Sequence, residues 1–224
     1  FSLNGTASGN ISCLAGNLGA ALLDLGFSDD ERLVQALELM ARYVTGEGIA
    51  PAGNRRAPHH YLRSGTCGPG FRCSANNRLP CAWGAVKVLR ALARVPEVNR
   101  TPAIQAALAA TVDFLFSVDP VTAGYPAGYS DKPSSSWFKL GFPVFYVTDV
   151  LQIAEALSET GYARDLRLSA TLDLVESKQD SAGRWRMEYS YNGKTWVDVE
   201  QRGKPSKWVT LRAMRVLKVR KRGT

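Results

Sequence analysis

Four cysteines and two histidines set the chemistry this chain could carry. Cys67, Cys73 and Cys81 fall within one loop and the start of the helix after it, with His59 and His60 just upstream. Zinc prefers three or four thiolate or imidazole ligands in a tetrahedron. Cys13, Cys67, Cys73 and Cys81, with His59 as a substitute, are the candidate set. The spacings fit no compact zinc motif, and Cys-x-x-Cys is absent. Buried or free thiols and one or two disulfides stay open as readings; disulfides would need an oxidising compartment.

Asp149 is the candidate catalytic acid or base, because it follows the apolar run Phe142-Pro143-Val144-Phe145-Tyr146. An acid in such a setting can hold its proton to a higher pH. The competing reading is an ordinary first-turn aspartate favoured by the helix dipole. Trp83, Trp137, Phe145, Tyr146 and Trp196 are candidates for binding a flat apolar ligand; the alternative is that each simply packs a seam. No nucleophile elbow, dinucleotide fingerprint or phosphate loop occurs.

The elements that must position these groups read as helices in pairs. Leu14, Leu18, Leu22 and Leu25 form an apolar stripe ended by Gly26. Ser28-Asp29-Asp30-Glu31 then opens a helix carrying Leu33, Leu37, Met40 and Val44. A loop from about residue 45 to 80 leads to a helix from Ala82 to Ala93, and Thr101-Pro102 caps the next. Two further helices carry Leu151 and Leu157, then Leu168, Leu172 and Val175, and Ser206 opens a last one. Strand-like alternation is confined to Arg186–Val199, where a small hairpin is expected around Asn192-Gly193. Gly26-Phe27-Ser28-Asp29-Asp30-Glu31-Arg32-Leu33 is echoed by Gly161-Tyr162-Ala163-Arg164-Asp165-Leu166-Arg167-Leu168, the mark of a helical repeat.

Leu174-Val175 followed by Gln179-Asp180-Ser181-Ala182-Gly183-Arg184-Trp185 resembles the QW repeat of the squalene cyclase and protein prenyltransferase superfamily. Phe114-Leu115, Asp119 and Gly124-Tyr125 look like a decayed copy. Trp137-Phe138-Lys139-Leu140-Gly141-Phe142-Pro143 and Lys204-Pro205-Ser206-Lys207-Trp208 are similar to a bacterial subgroup of prenyltransferase/squalene-oxidase-repeat proteins. The resemblance implies an all-α fold: one domain over residues 1–224, a partial α/α toroid of three to four helical hairpins. It further implies a terpenoid cyclase- or prenyltransferase-like protein with an aromatic-lined cavity for an apolar, isoprenoid-like ligand. The alternatives are a zinc-dependent transferase or cyclase acting on thiols, and a non-catalytic scaffold. The Asp-x-Asp-Asp acid motif of the cyclases and an Asp-rich diphosphate site are both missing.

The net charge of +8 is a C-terminal property: nine of the 28 bases follow Glu200 with no acid among them, so the rest is close to neutral. A solvated last helix explains such a run, with fraying expected over Lys218–Arg222. An anionic membrane surface or a phosphate-bearing ligand is the next reading, and nucleic acid is disfavoured for want of a binding module. No apolar run reaches the roughly 18 residues of a span, which points to a cytoplasmic protein, with peripheral membrane attachment left open.

Overall fold

The computed structural model describes residues 11–51, 53–54, 56, 60–61 and 67–221. Seven α-helices dominate it, and the described chain divides into two compact units. The first comprises Phe1–Val118 and Tyr125–Lys132, the second Asp119–Gly124 and Pro133–Thr224.

In the first unit α1 (Ser12–Asp24) packs on α3 (Ala82–Ala93), while α2 (Glu31–Thr45) packs on α4 (Pro102–Leu115). Glycine sets the α1–α3 contact. A Cβ on Gly16 would lie 2.4 Å from the Lys87 carbonyl carbon, one on Gly84 3.0 Å from the Ser12 Cβ, and one on Gly19 3.5 Å from the Ala91 Cβ. Those contacts climb both helices together, so α1 and α3 run parallel. The leucine stripe expected to dock α1 faces the other way: Leu14, Leu18 and Leu25 are exposed, and Ser12, Ala15, Gly16, Gly19 and Ala20 are buried. Close backbone approach wins here because a leucine in that seam would hold the helices apart. α2 keeps its predicted face, with Leu33, Leu37, Met40 and Val44 buried. The loop after it carries two short ladders that periodicity did not foretell: β1 (Ala50–Pro51) parallel to β2 (His60–Tyr61), and β3 (Cys67–Gly68) antiparallel to β4 (Arg72–Cys73).

In the second unit α5 (Val150–Leu157) ends in a single wide turn at Ser158–Tyr162, where Gly161 reverses the chain at φ 95°. α6 (Ser169–Ser177) and α7 (Lys207–Lys221) both pack on α5 and on each other. The expected hairpin within Arg186–Val199 is replaced by β5 (Trp185–Arg186) pairing with β6 (Pro205–Ser206). The alternation of Tyr189 and Tyr191 reflects ring-on-ring packing instead of a strand, with centroids 5.3 Å apart.

Local geometry repeats along the chain. Asp30 accepts from the Arg32 N–H, Nε and Nη2 at 2.9, 3.0 and 2.6 Å, and Asp165 does the same with Arg167 at 2.9, 2.9 and 2.6 Å. The Trp185 indole N–H donates to the Val175 carbonyl ten residues back at 2.6 Å, and the Tyr125 hydroxyl donates to the Leu115 carbonyl, also ten back, at 2.6 Å. Ser177 and Ser117 hydroxyls bond Leu174 and Phe114 carbonyls at 2.8 and 2.7 Å. Gly183 takes φ 77° in one loop, and Ala123 takes φ 52° in the other. The decayed copy of the Trp loop is thus preserved in backbone and bonding, with Tyr in place of Trp.

Candidate functional site

Two groups of side chains carry chemistry, one in each unit. In the first unit the ladder β3–β4 sets Cys67 directly opposite Cys73. On the other side of β4 an isolated bridge joins Arg72 to Pro80, with the Cys73 N–H on the Leu79 carbonyl at 3.1 Å and the Cys81 N–H on the Phe71 carbonyl at 2.9 Å. Paired and diagonal residues of a ladder share a face, so Cys67, Cys73 and Cys81 present their sulfurs together. Phe71, buried and stacked on Phe114 at 5.2 Å between ring centres, anchors the ladder to α4.

Helix starts surround these sulfurs. Cys81 is the N-cap residue of α3. The Ser12 N–H, at the uncapped start of α1, donates to the Cys67 sulfur at 3.2 Å. The positive end of a helix favours thiolate. Lys87 on α3 is fully buried, and its charge acts on Cys13 in the same sense. Elsewhere oxygen caps the helix starts of α2, α4, α5 and α7: Asp30 accepts from the Arg32 N–H, Thr101 from Ile104, Asp149 from Gln152 at 2.7 Å and Ser206 from Val209 at 3.0 Å.

One thiolate is shared by this group. Hydrogen bonds from the Cys67 thiol, then from the Cys81 thiol, hold Cys73 far below the ordinary thiol range. The two donors are pushed up, each first by its bond to Cys73 and then by burial. Cys13 is raised by burial and by the charge on Cys73. All four cysteines are free.

The four expected sulfur ligands are therefore gathered in one neighbourhood around Cys73. Among the described residues no group of three or more His, Cys, Asp or Glu stands where it could hold a metal ion. Cys13, Cys67, Cys73 and Cys81, the residues of the zinc expectation, stand in this cluster as free thiols. His59 lies outside the described residues. Lys87 is the group that sequence reasoning missed, since a lysine within a helix reads as a solvated face.

In the second unit Asp149 is buried at the start of α5. Its carboxylate caps α5, accepts the Gly141 N–H at 2.9 Å and faces Arg212 Nη2 at 3.4 Å. Arg212 also holds Glu155 through two bonds, of 2.9 and 2.7 Å, and the Gly141 carbonyl at 2.7 Å. Burial alone would lower the Arg212 pKa, but Glu155 and Asp149 outweigh it and raise the group. Asp149, the expected proton donor, is thus bonded to the start of α5, to the Gly141 N–H and to Arg212.

The aromatic candidates separate. Trp137 is buried, and its indole N–H is spent on the Pro120 carbonyl at 3.0 Å, so it is a packing residue. Trp83 is half-buried on the first turn of α3 in the first unit. Phe145 and Tyr146 flank Tyr191, with centroids 4.8 and 6.2 Å away in edge-to-face geometry, and remain 43% and 55% exposed. Trp196 is fully exposed. Phe142 and Trp208 stack beside α7 at 5.0 Å.

The basic segment is only partly solvated. α7 runs on to Lys221, where fraying was expected from Lys218. Arg220 pairs with Asp173 at 2.7 Å, which explains the added turn. Lys207, Arg215 and Lys218 are exposed beside Trp208, Leu211, Met214 and Val219. Among the described residues no helix is long and apolar enough to cross a membrane. No family model, no curated protein and no solved structure matches the chain.

Proposed function

We propose that the chain is an α/α-repeat protein of terpenoid cyclase and prenyltransferase type, an arc of a toroid, that holds an apolar, isoprenoid-like ligand on the aromatic cluster of its second unit. The observation that carries this reading is the exposure of Phe145 and Tyr146 at fixed angles around the Tyr191 ring. Edge-to-face packing leaves ring faces open, and those faces suit isoprene units. Large exposed aromatics gathered in one place mark a binding surface, whereas scattered ones do not. The repeated strap of Trp185 and Tyr125 supports the family likeness. The exposed bases of α7 would serve a ligand ending in phosphate, or an anionic lipid surface around it.

Farnesol titrated into the protein tests the ligand class. Saturable quenching of tryptophan emission is expected, with Phe145→Ala and Tyr146→Ala each weakening binding about tenfold, the worth of roughly 1.4 kcal/mol of lost aromatic contact. Absence of saturation, or affinity unchanged in both variants, overturns the reading. Farnesyl diphosphate beside farnesol measures what the α7 bases add.

A further inference from the structure

We propose that Cys67 and Cys73 form a redox-active dithiol that exchanges with low-molecular-weight disulfides, Cys73 attacking and Cys67 resolving. This goes beyond the apolar-ligand reading and belongs to the other unit, so either can fail alone.

Geometry carries it. Residues directly opposite in an antiparallel ladder have Cα atoms about 4.5–5.5 Å apart, inside the roughly 4.4–6.8 Å span of a disulfide. Cys67 and Cys73 hold that register, directly opposite each other on one face of the ladder. Cys81 touches Cys73 only along the diagonal and serves as the second donor. Accessibility divides the roles: Cys73 is half-buried beside the exposed Arg72, whereas Cys67 is buried. An attacking sulfur must meet solvent, and a resolving sulfur need only meet its partner. The start of α1 donates to the Cys67 sulfur, and the charge of buried Lys87 acts on Cys13, so positive charge borders the cluster, the kind of setting in which reactive cysteines are found. The depressed Cys73 agrees with this assignment.

The chemistry balances with a small disulfide, R–S–S–R, as oxidant. Cys73 thiolate attacks one sulfur, the R–S–S–R bond breaks, and one RS⁻ leaves as the mixed disulfide forms. Cys67 then attacks the Cys73 sulfur, and its proton goes to the second departing thiolate. The protein dithiol is oxidised, and one R–S–S–R is reduced to two thiols.

Trypsin makes the test direct, because the four cysteines fall on four different tryptic peptides and Arg72 lies between Cys67 and Cys73. The whole protein is exposed to oxidised glutathione, quenched with N-ethylmaleimide, digested and read by mass spectrometry. The expected product joins peptide 64–72 to peptide 73–78, and dithiothreitol reverses it. Cys67→Ser should trap glutathione on Cys73, and Cys13→Ser should leave the link intact. Glutathione on Cys13 or Cys81 in preference to Cys73 overturns the proposal. So does a link other than Cys67–Cys73, or stoichiometric zinc that must be stripped before any thiol reacts.

Discussion

At the scale of single residues, Arg212 shows how a charge inside a basic run can be the most committed group in its unit. It neutralises Glu155 and Asp149, both largely buried, and reaches the Gly141 carbonyl. Removing one partner of a buried pair strands the other, at a cost of about 3–5 kcal/mol. Arg212→Ala should lose that much in denaturant melts, whereas Lys218→Ala, on the exposed face of the same helix, should stay within about 0.5 kcal/mol. Sequence could place Asp149 at a helix start, which is where it acts. Arg212 was illegible because its partners come from the loop before α5 and from α5 itself, far away in the chain. The Asp30 and Asp165 carboxyls give a second residue-scale expectation. Side-chain bonds from Arg32 and Arg167 hold both down to about 2. Their contribution is therefore complete above the ordinary aspartate range and is lost as pH falls through about 2. Carboxyl NMR titrations should place both midpoints there, and Arg32→Ala should return Asp30 toward its ordinary value.

At the scale of elements, the straps that close the helix pairs separate packing from hydrogen bonding. Trp185 fills its site and bonds Val175, whereas Tyr125 makes the equivalent bond to Leu115. Trp185→Ala should destabilise by about 3–5 kcal/mol, the range for deleting a buried large aromatic. Tyr125→Phe, which removes only the hydroxyl, should cost about 1 kcal/mol. The α1–α3 seam adds an overpacking test: Gly16→Ala drives a methyl into the Lys87 backbone and should cost about 1–3 kcal/mol, while Gly26→Ala, with open space around it, is opposed only by its φ of 87°. The helices and the Trp loop were legible because 3.6-residue periodicity, caps and turn glycines are local signals, whereas the pairing of α1 with α3 and α2 with α4, across the sequence, was not. Nor was the docked face of α1. Periodicity weighs apolar bulk, and a glycine seam is chosen for its lack of bulk.

At the scale of the whole molecule, sequence alone separated a neutral body from a basic C-terminal segment, and the described residues keep that division, with α7 carrying the exposed bases. The cysteine cluster was legible as composition and not as arrangement. Its order comes from the β3–β4 register, two residues long on each strand and too short to leave a period-two signature. The prediction at this scale follows from unequal apportioning. Four of the five tryptophans (Trp137, Trp185, Trp196 and Trp208) belong to the second unit, and Trp83 alone to the first. Trp83 also stands two positions after Cys81, in the first turn of the helix that Cys81 caps. A chain retaining only Trp83, with the other four changed to phenylalanine and its helicity checked, would silence the indoles of the second unit and leave one lamp near the sulfurs in the first. Disulfides quench nearby indoles, so its emission should dim on oxidation and recover on reduction. The molecule would then report its own redox state in real time by light, with no label attached.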